Sequence, residues 1–530
     1  MKVNTLKKIV TLSALLCTST FIYGQFTGDI DGDFGDGGIL WYDYTGSGVT
    51  TLMTKLVLDE NTESMYFSGS INSSGYNAII VKADLTGNLS PAFTEGTINY
   101  DPFIGLDDQF ESIAIQPNGK MVAVGYSIIG AGNSDAIIAR FNTDGAFDPT
   151  FNGGSPLIFD AGGLDFASDV AIQEDGKIVI IGSYQTDVAD LDLFIVRLNS
   201  DGSPDLTFGI GGSVVLNTYA GIEMIHNITI LENGNIVAAG QAGEDILVLQ
   251  LDTDGNFDTD FSGDGTLNFK VNGLPSVGDK LIELSDGKLL LSGNTFSDGI
   301  DGSRGFIIKL EPNGLFVPDF NGDDATLNLA FESELGLDTT FLIRDMEVLA
   351  SGQILVAADY GNGIDNLALI LVNENGDIDT EFGEAGMRLY NLSGGSLPNK
   401  DAQIEVTSTG AVLLAGRVIN GVYEDIVTVR LFGDISGLYE TELTPFEVKL
   451  YPNPTVDFLT LVVEMNNASN LSVQITDLAG KTVFSENFSN LIEGQNNLSL
   501  TDAISGLTPG CYSIMTTCEG RTASQLFIKK

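Results

Sequence analysis

The sequence predicts an all-β protein: a seven-bladed β-propeller of four-stranded repeats followed by a small C-terminal β-sandwich. Three observations carry that prediction. An Asp-x-x-Phe segment or a weaker copy of it recurs seven times, with phenylalanines at 34, 93, 151, 208, 261, 320 and 382. Between successive copies lie two tight turns, such as Asp175-Gly176-Lys177 and Asp201-Gly202, of the type that supplies the positive φ angles of hairpins. Outside the first residues, no stretch sustains the 3.6-residue period of an amphipathic helix.

The N-terminus reads as a leader. Lys2, Lys7 and Lys8 precede an apolar run from Ile9 to Cys17, then Thr18-Ser19-Thr20 and Gly24. This order predicts a secretory signal peptide over residues 1–24, and the apolar core is too short to span a bilayer. Leu16 is too bulky to precede a lipidated Cys17. No later stretch reaches 18 consecutive apolar residues, so the mature chain is expected to have no transmembrane helix.

The repeats occupy residues 25–435. Their phenylalanines are spaced 53 to 62 residues apart. In the unit that begins at Phe208 the expected strands are Ser213–Asn217, Ile225–Leu231, Asn235–Ala239 and Asp245–Leu251. Within the last of these, Ile246, Leu247, Val248 and Leu249 form a continuous apolar run, as in a strand buried on both faces. Asp31–Phe34 has no repeat strand before it, and Asp425–Phe432 has no clear Asp-x-x-Phe copy after it. The count balances if the N-terminal segment completes the last unit and closes the ring, which removes exposed sheet edges.

One position is basic in most units: Lys82, Arg140, Arg197, Lys309 and Arg430, with Gln250 and Leu371 as exceptions. A residue in register with the scaffold is expected to serve it. The predicted scaffold pairs are Arg140 with Asp148 and Arg197 with Asp205. Trp41 is expected in core or blade-interface packing, and His226 as a packed or hydrogen-bonded strand residue. These units resemble the delta-60 repeat family, with its "pDGk" hairpin, basic strand position and "DG…D…FG" turn. The resemblance implies a propeller-like fold in exported bacterial proteins and carries no activity.

A linker is expected at 436–445. From 446 to 530 the repeat markers stop and short strands alternate, including Phe458–Glu464, Leu471–Asp477, Cys511–Thr517 and Ala523–Lys529. If Cys511–Cys518 is one straight strand, its ends lie roughly 23 Å apart, too far for a disulfide. The segment resembles the type IX secretion system C-terminal sorting domain of Bacteroidetes. The matching residues include Leu450, Tyr451, Pro452, Asn453 and Pro454 at its start, then Gly510 and Tyr512, and Lys529 at its end. Cys511 stands where valine is more usual. The resemblance implies recognition by the type IX machinery and a secreted or outer-membrane surface-attached product.

Composition narrows the function. The chain carries 72 Asp+Glu against 24 Lys+Arg, a formal net charge of −48. Residues 25–445 hold 16 of the basic and 64 of the acidic residues, so the propeller carries the charge. Such a surface repels nucleic acid and attracts divalent cations. A single histidine, no Walker A segment, no nucleophile elbow and no Cys-x-x-Cys leave little room for the common catalytic constellations. No cofactor is expected. Ca²⁺ is the one ion considered, because Asp29-x-Asp31-x-Asp33 opens like an EF-hand loop, although Phe34 and Leu40 occupy positions that require Gly and Glu. Asp252-x-Asp254-Gly255 and Asp298-x-x-Asp301 are also incomplete. The preferred reading is a non-catalytic module that binds an extracellular glycan or protein. The alternative is a secreted, glycan-active hydrolase or lyase that uses carboxylates, with or without Ca²⁺. Variable loops, such as 127–135, 183–191, 241–244, 294–304 and 360–366, mark one end of the ring as the expected recognition face.

Overall fold

The computed structural model describes residues 28–432 and 446–529 apart from short segments at 43–48, 73–74, 94–95, 103–105, 131–132, 188–189, 218–220, 297–302, 323–325, 330–339, 362–365, 393–398, 421–422, 452–454, 456–457, 466–468, 478–480, 493, 509 and 519–520. The predicted leader 1–24 and linker 436–445, together with Asp298 and Asp301, lie outside the described residues. The chain divides into two compact units, Met1–Ser436 and Gly437–Lys530. Among the described residues no helix is long and apolar enough to cross a membrane.

In the first unit the described strands form seven four-stranded antiparallel sheets. Six consist of consecutive strands; the third sheet, for example, is built from Asp165–Ile172, Ile178–Asp187, Asp190–Leu198 and Ser213–Leu216. The seventh joins Asn399–Val406, Val412–Asn420 and Tyr423–Leu431 to a strand from the other end of the unit, Ile39–Tyr42. The N-terminal strand thus closes the ring. Asp31 N–H donates to Arg430 O beside it (2.8 Å).

The phase of the repeat needs correcting. Ser213–Leu216 pairs with Asp190–Leu198 and ends the third sheet, whereas the next sheet starts at Glu223–Ile230. The sequence unit therefore begins on the outer strand of one sheet and continues with the inner three strands of the next. Spacing shows the period but not its origin, because a repeat reads the same from any starting point.

Seven apolar clusters lie between neighbouring sheets, including one between the seventh and the first. Each receives one repeat phenylalanine; Phe151 lies between the second and third sheets, and Phe208 between the third and fourth. The next sheet holds that ring through its Asp-Gly turn. A Cβ on Gly202, at φ +85°, would come 2.9 Å from Phe151, and Asn152 N–H donates to Asp201 O (2.9 Å). Glycine is needed there both for its φ and for the close approach. Phe34 and Gly87 repeat the arrangement across the closure. Truncating such a buried ring to alanine costs about 3–5 kcal/mol.

Trp41 departs from the expectation of a packed residue: it is 40% exposed. It sits on the outermost strand, where Leu40 and Tyr42 turn inward, and alternation sends Trp41 outward.

The second unit has two sheets. Phe446–Tyr451, Thr460–Met465 and Gly494–Ser499 make one; Ser469–Asp477, Thr482–Leu491, Gly510–Cys518 and Arg521–Lys529 make the other. Both contribute to one core containing Leu461, Val463, Leu471, Val473 and Ile514, which is a sandwich. Leu450 and Tyr451 end the first of these strands, whereas Pro452, Asn453 and Pro454 lie outside the described residues. Gly510 pairs with Lys529, and Thr455 bridges to Lys529 as well, so the two ends of the motif meet. Tyr512 Oη donates to Thr508 O (2.8 Å), which fixes the turn before its strand. Cys518 is a free, buried thiol.

Candidate functional site

The predicted basic scaffold position has a clear structural role. Arg140 Nε lies 2.7 Å from Asp148 Oδ2, and Arg197 Nε lies 2.8 Å from Asp205 Oδ2. Each guanidinium also stacks on the repeat phenylalanine, 4.8 Å from the Phe151 centroid and 4.5 Å from that of Phe208. Each reaches a backbone carbonyl of the following sheet: Arg140 that of Ser200, and Arg197 that of Thr253. Although burial opposes ionisation, hydrogen bonds from Thr207 and the Arg197 charge hold Asp205 down to about 2. Gln250, one of the two exceptions, performs the same task neutrally by donating to Asp258 (2.8 Å). These residues staple sheet to sheet.

A different set lines the centre. The first strand of every sheet carries a register shift: between Met53 and Lys55, Phe110 and Ser112, Ala167 and Asp169, Ile225 and Asn227, Gly278 and Lys280, Ile343 and Asp345, and Lys400 and Gln403. A bulge inserts an extra residue and re-aims side chains. The inserted residues include Thr54, Glu111, Ser168, His226, Asp279, Arg344 and Asp401, one from each sheet. All seven line a single cavity of about 660 Å³.

Residues beside the bulges tie the sheets together. Asp169 accepts from Ser112 Oγ (2.6 Å), Asn227 Nδ2 (3.1 Å) and Ile228 N (3.1 Å), which joins three sheets at one carboxylate. Asn227 then accepts from Leu281 N (2.9 Å), and Asp345 from Ile404 N (3.0 Å). The bulge residues themselves are left to face the lumen. His226 is a correction to the sequence reading: it is open to the cavity rather than packed, because the shift at Ile225/Asn227 lifts it off the sheet. Its surroundings bury it enough to lower its pKa.

Several charges at the cavity are paired. Lys280 Nζ lies 2.8 Å from Asp345 and 3.2 Å from Glu347; although burial alone would lower its pKa, these carboxylates hold it well above the ordinary lysine range. Arg344 bonds Asp359 (2.7 Å) and approaches Asp401 (3.6 Å), which Arg417 also engages. Asp279 receives Asn294 Nδ2 (2.5 Å), yet burial raises it to about 7. Burial, with the nearby Glu347 charge, raises Glu405 to about 8. Burial also raises Glu111.

The first calcium candidate is occupied by arginines. Asp29 is bonded by Arg388 (2.5 Å) and Asp31 by Arg430 (2.5 Å). Asp252 accepts from the backbone of Asp254 and Asn256 in its own turn. The expected variable loops join the second and third strands of their sheets, at the end opposite the uniform turns, and most of their tips lie outside the described residues.

Sequence reasoning missed the cavity set. Its signal was a register position of the repeat where residue type changes from blade to blade: Thr, Glu, Ser, His, Asp, Arg, Asp.

Two family models match parts of the chain. Residues 116–151, 173–208, 231–261 and 349–382 match the DUF5122 β-propeller, a domain of unknown function. Residues 449–530 match the secretion system C-terminal sorting domain. No curated protein matches the chain. Among solved structures it is similar to PorZ, a surface component of the type-IX secretion system of Porphyromonas gingivalis (13% identity, 93% of this chain and 68% of that one, TM-score 0.30). It is also similar to a protein of unknown function from Dyadobacter fermentans (14%, 61% and 93%, 0.38) and to an acylaminoacyl peptidase from Pyrococcus horikoshii (11%, 79% and 59%, 0.36). Likenesses this distant carry no argument about activity.

Proposed function

For a chain that carries DUF5122 β-propeller repeats and a type IX sorting domain, and is thereby exported to the cell surface or beyond, we propose a non-catalytic binding role. The propeller takes an extracellular glycan or protein ligand, and the cavity lined by the seven bulge residues receives part of it. The observation that carries this reading is the pairing of charges around Lys280 and Arg344. Asp345 and Glu347 share Lys280, and Asp359 and Asp401 share Arg344. A rigid, polar, mixed-charge recess suits recognition, since its groups are already oriented and need no reorganisation on binding.

A second reading rests on Asp279 and Glu405. A carboxyl raised to about 7 or 8 keeps its proton near neutral pH, as a general acid must. One experiment separates the two. The secreted protein is applied to glycan and protein arrays, and each bound ligand is then incubated and analysed for products. The binding reading expects saturable retention of intact ligand, weakened by Arg344→Gln. Product release that is abolished by Asp279→Asn would establish the hydrolase or lyase instead.

A further inference from the structure

At the end of the ring that carries the long loops, three carboxylates from two neighbouring sheets converge. Asp135 lies at the start of a strand of the second sheet, Asn133–Phe141. Asp160 follows that sheet's outer strand, Leu157–Phe159, and Asp165 begins the third sheet. One carboxylate oxygen from each lies within 4.8 Å of the others. Two oxygens on opposite sides of a Ca²⁺ ion, each at about 2.4 Å, are about 4.8 Å apart, so the spacing suits ligation.

A second observation concerns Asp165 alone. It is fully buried. Its Oδ2 accepts from Ala161 N (3.1 Å), while Oδ1 is buried with no hydrogen-bond donor. An acceptor buried without a partner is costly, and more so beside like charges. Burial and the charges of Asp160 and Asp135 push Asp165 up to about 6. A cation among the three oxygens removes both penalties.

The repeat supplies its own comparison. In the fourth sheet, Asp245 precedes Ile246, which pairs with Phe269, just as Asp135 precedes Ala136, which pairs with Phe159. The residue after Phe269 is Lys270, in the register position of Asp160. Its ammonium lies 2.5 Å from Glu244 and 3.6 Å from Asp245. Ser276 opens the following sheet in the register position of Asp165. Where the chain provides its own cation, the third carboxylate is gone. Where it provides three carboxylates, position 160 carries no cation.

We propose that Asp135, Asp160 and Asp165 bind one divalent cation of the hard, oxygen-seeking class, Ca²⁺ outside the cell, and that the ion clamps the second sheet to the third. Asp160 is exposed, so its replacement spares the fold. Calcium binding to the mature full-length protein is measured by titration calorimetry after chelation, with thermal melts in parallel. The surface is acidic enough to hold calcium weakly elsewhere, so the difference between variants is read rather than the total. Asp160→Asn is expected to lose one calcium equivalent and most of the calcium-induced rise in melting temperature. Asp160→Lys, which copies position 270, is expected to lose the same equivalent yet to melt, without calcium, at or above the chelated wild type. Wild-type stoichiometry in both variants overturns the proposal, as does a wild-type melt that ignores calcium.

Discussion

Arg430 and Asp31 lie 399 residues apart in sequence and are joined by an Nε–Oδ2 hydrogen bond of 2.8 Å. Arg197 and Asp205 make the same bond across eight residues. The closure of the ring therefore reuses the repeat's own staple, including the guanidinium stacked 5.6 Å from the Phe34 centroid and a bond to Leu85 O in the first sheet (2.5 Å). Arg430→Ala should loosen the N-terminal strand. The expected loss is about 1–2 kcal/mol, since this pair is partly exposed, with limited proteolysis cutting first near residues 28–42. A variant that resists protease as well as the wild type does would sink this account of closure.

Arg197 is more deeply placed, and its replacement should cost more. Arg197→Ala is expected to lose about 2–3 kcal/mol in urea unfolding, because Asp205 keeps its charge without its main partner. Arg197→Gln should lose about half as much, because Gln250 already performs this role beside Asp258. Equal losses in the two variants would show that the stack on Phe208, and not the bond to Asp205, carries the stability.

The glycines of the Asp-Gly turns separate two effects. Gly202 and Gly176 have nearly the same φ, +85° and +83°, but only Gly202 faces a ring. Gly176→Ala should cost about 1 kcal/mol for its backbone conformation alone. Gly202→Ala adds a clash with Phe151 and should cost about 2–4 kcal/mol. Chemical denaturation of the two variants checks the difference.

Stability should fall as pH rises through neutrality. Asp279 and Glu405 have folded pKa values of about 7 and about 8, above their ordinary values. The folded state therefore holds protons that the unfolded chain has released, and this contribution is full below about pH 4 and lost as pH rises to about 8. Asp205, depressed to about 2, acts in the opposite sense, with stability present above about pH 4 and lost on further acidification. The urea midpoint should peak in mild acid and drop by the equivalent of about 1–3 kcal/mol between pH 5 and 8. Asp279→Asn should flatten that drop, and an unchanged slope would count against protonation of Asp279 in the fold.

Removal of residues 446–530 should leave the propeller folded, since the two units are separately compact. Delivery should fail, with the truncated protein retained in the periplasm and absent from the medium and the cell surface. Cell fractionation followed by immunoblotting decides this.

Much of the scaffold was legible because its signals are local. Arg197 and Asp205 are eight positions apart across one turn, and a turn's chemistry is written in its own Asp, Gly and Phe. The sorting motif was legible for the same reason, as blocks in fixed order along 82 matched residues. The cavity was not. His226 reads as one more strand residue until the shift at Ile225/Asn227 turns it toward the lumen, and nothing near it in sequence names Glu111 or Arg344 as neighbours.

By itself the sequence determined the period of the repeat, the pairing of Arg140 with Asp148, the need for an N-terminal strand to complete the last unit, and the address at the C-terminus. Tertiary structure alone decided where each sheet begins, that Trp41 faces outward, which seven side chains share a cavity, and that Asp135, Asp160 and Asp165 meet. The division has one physical cause. Turns and hairpins depend on neighbours along the chain, whose φ angles and hydrogen bonds their own residue types specify. Sites on a ring are assembled by bulges and loops from different sheets, so their geometry exists only once the seven sheets have closed.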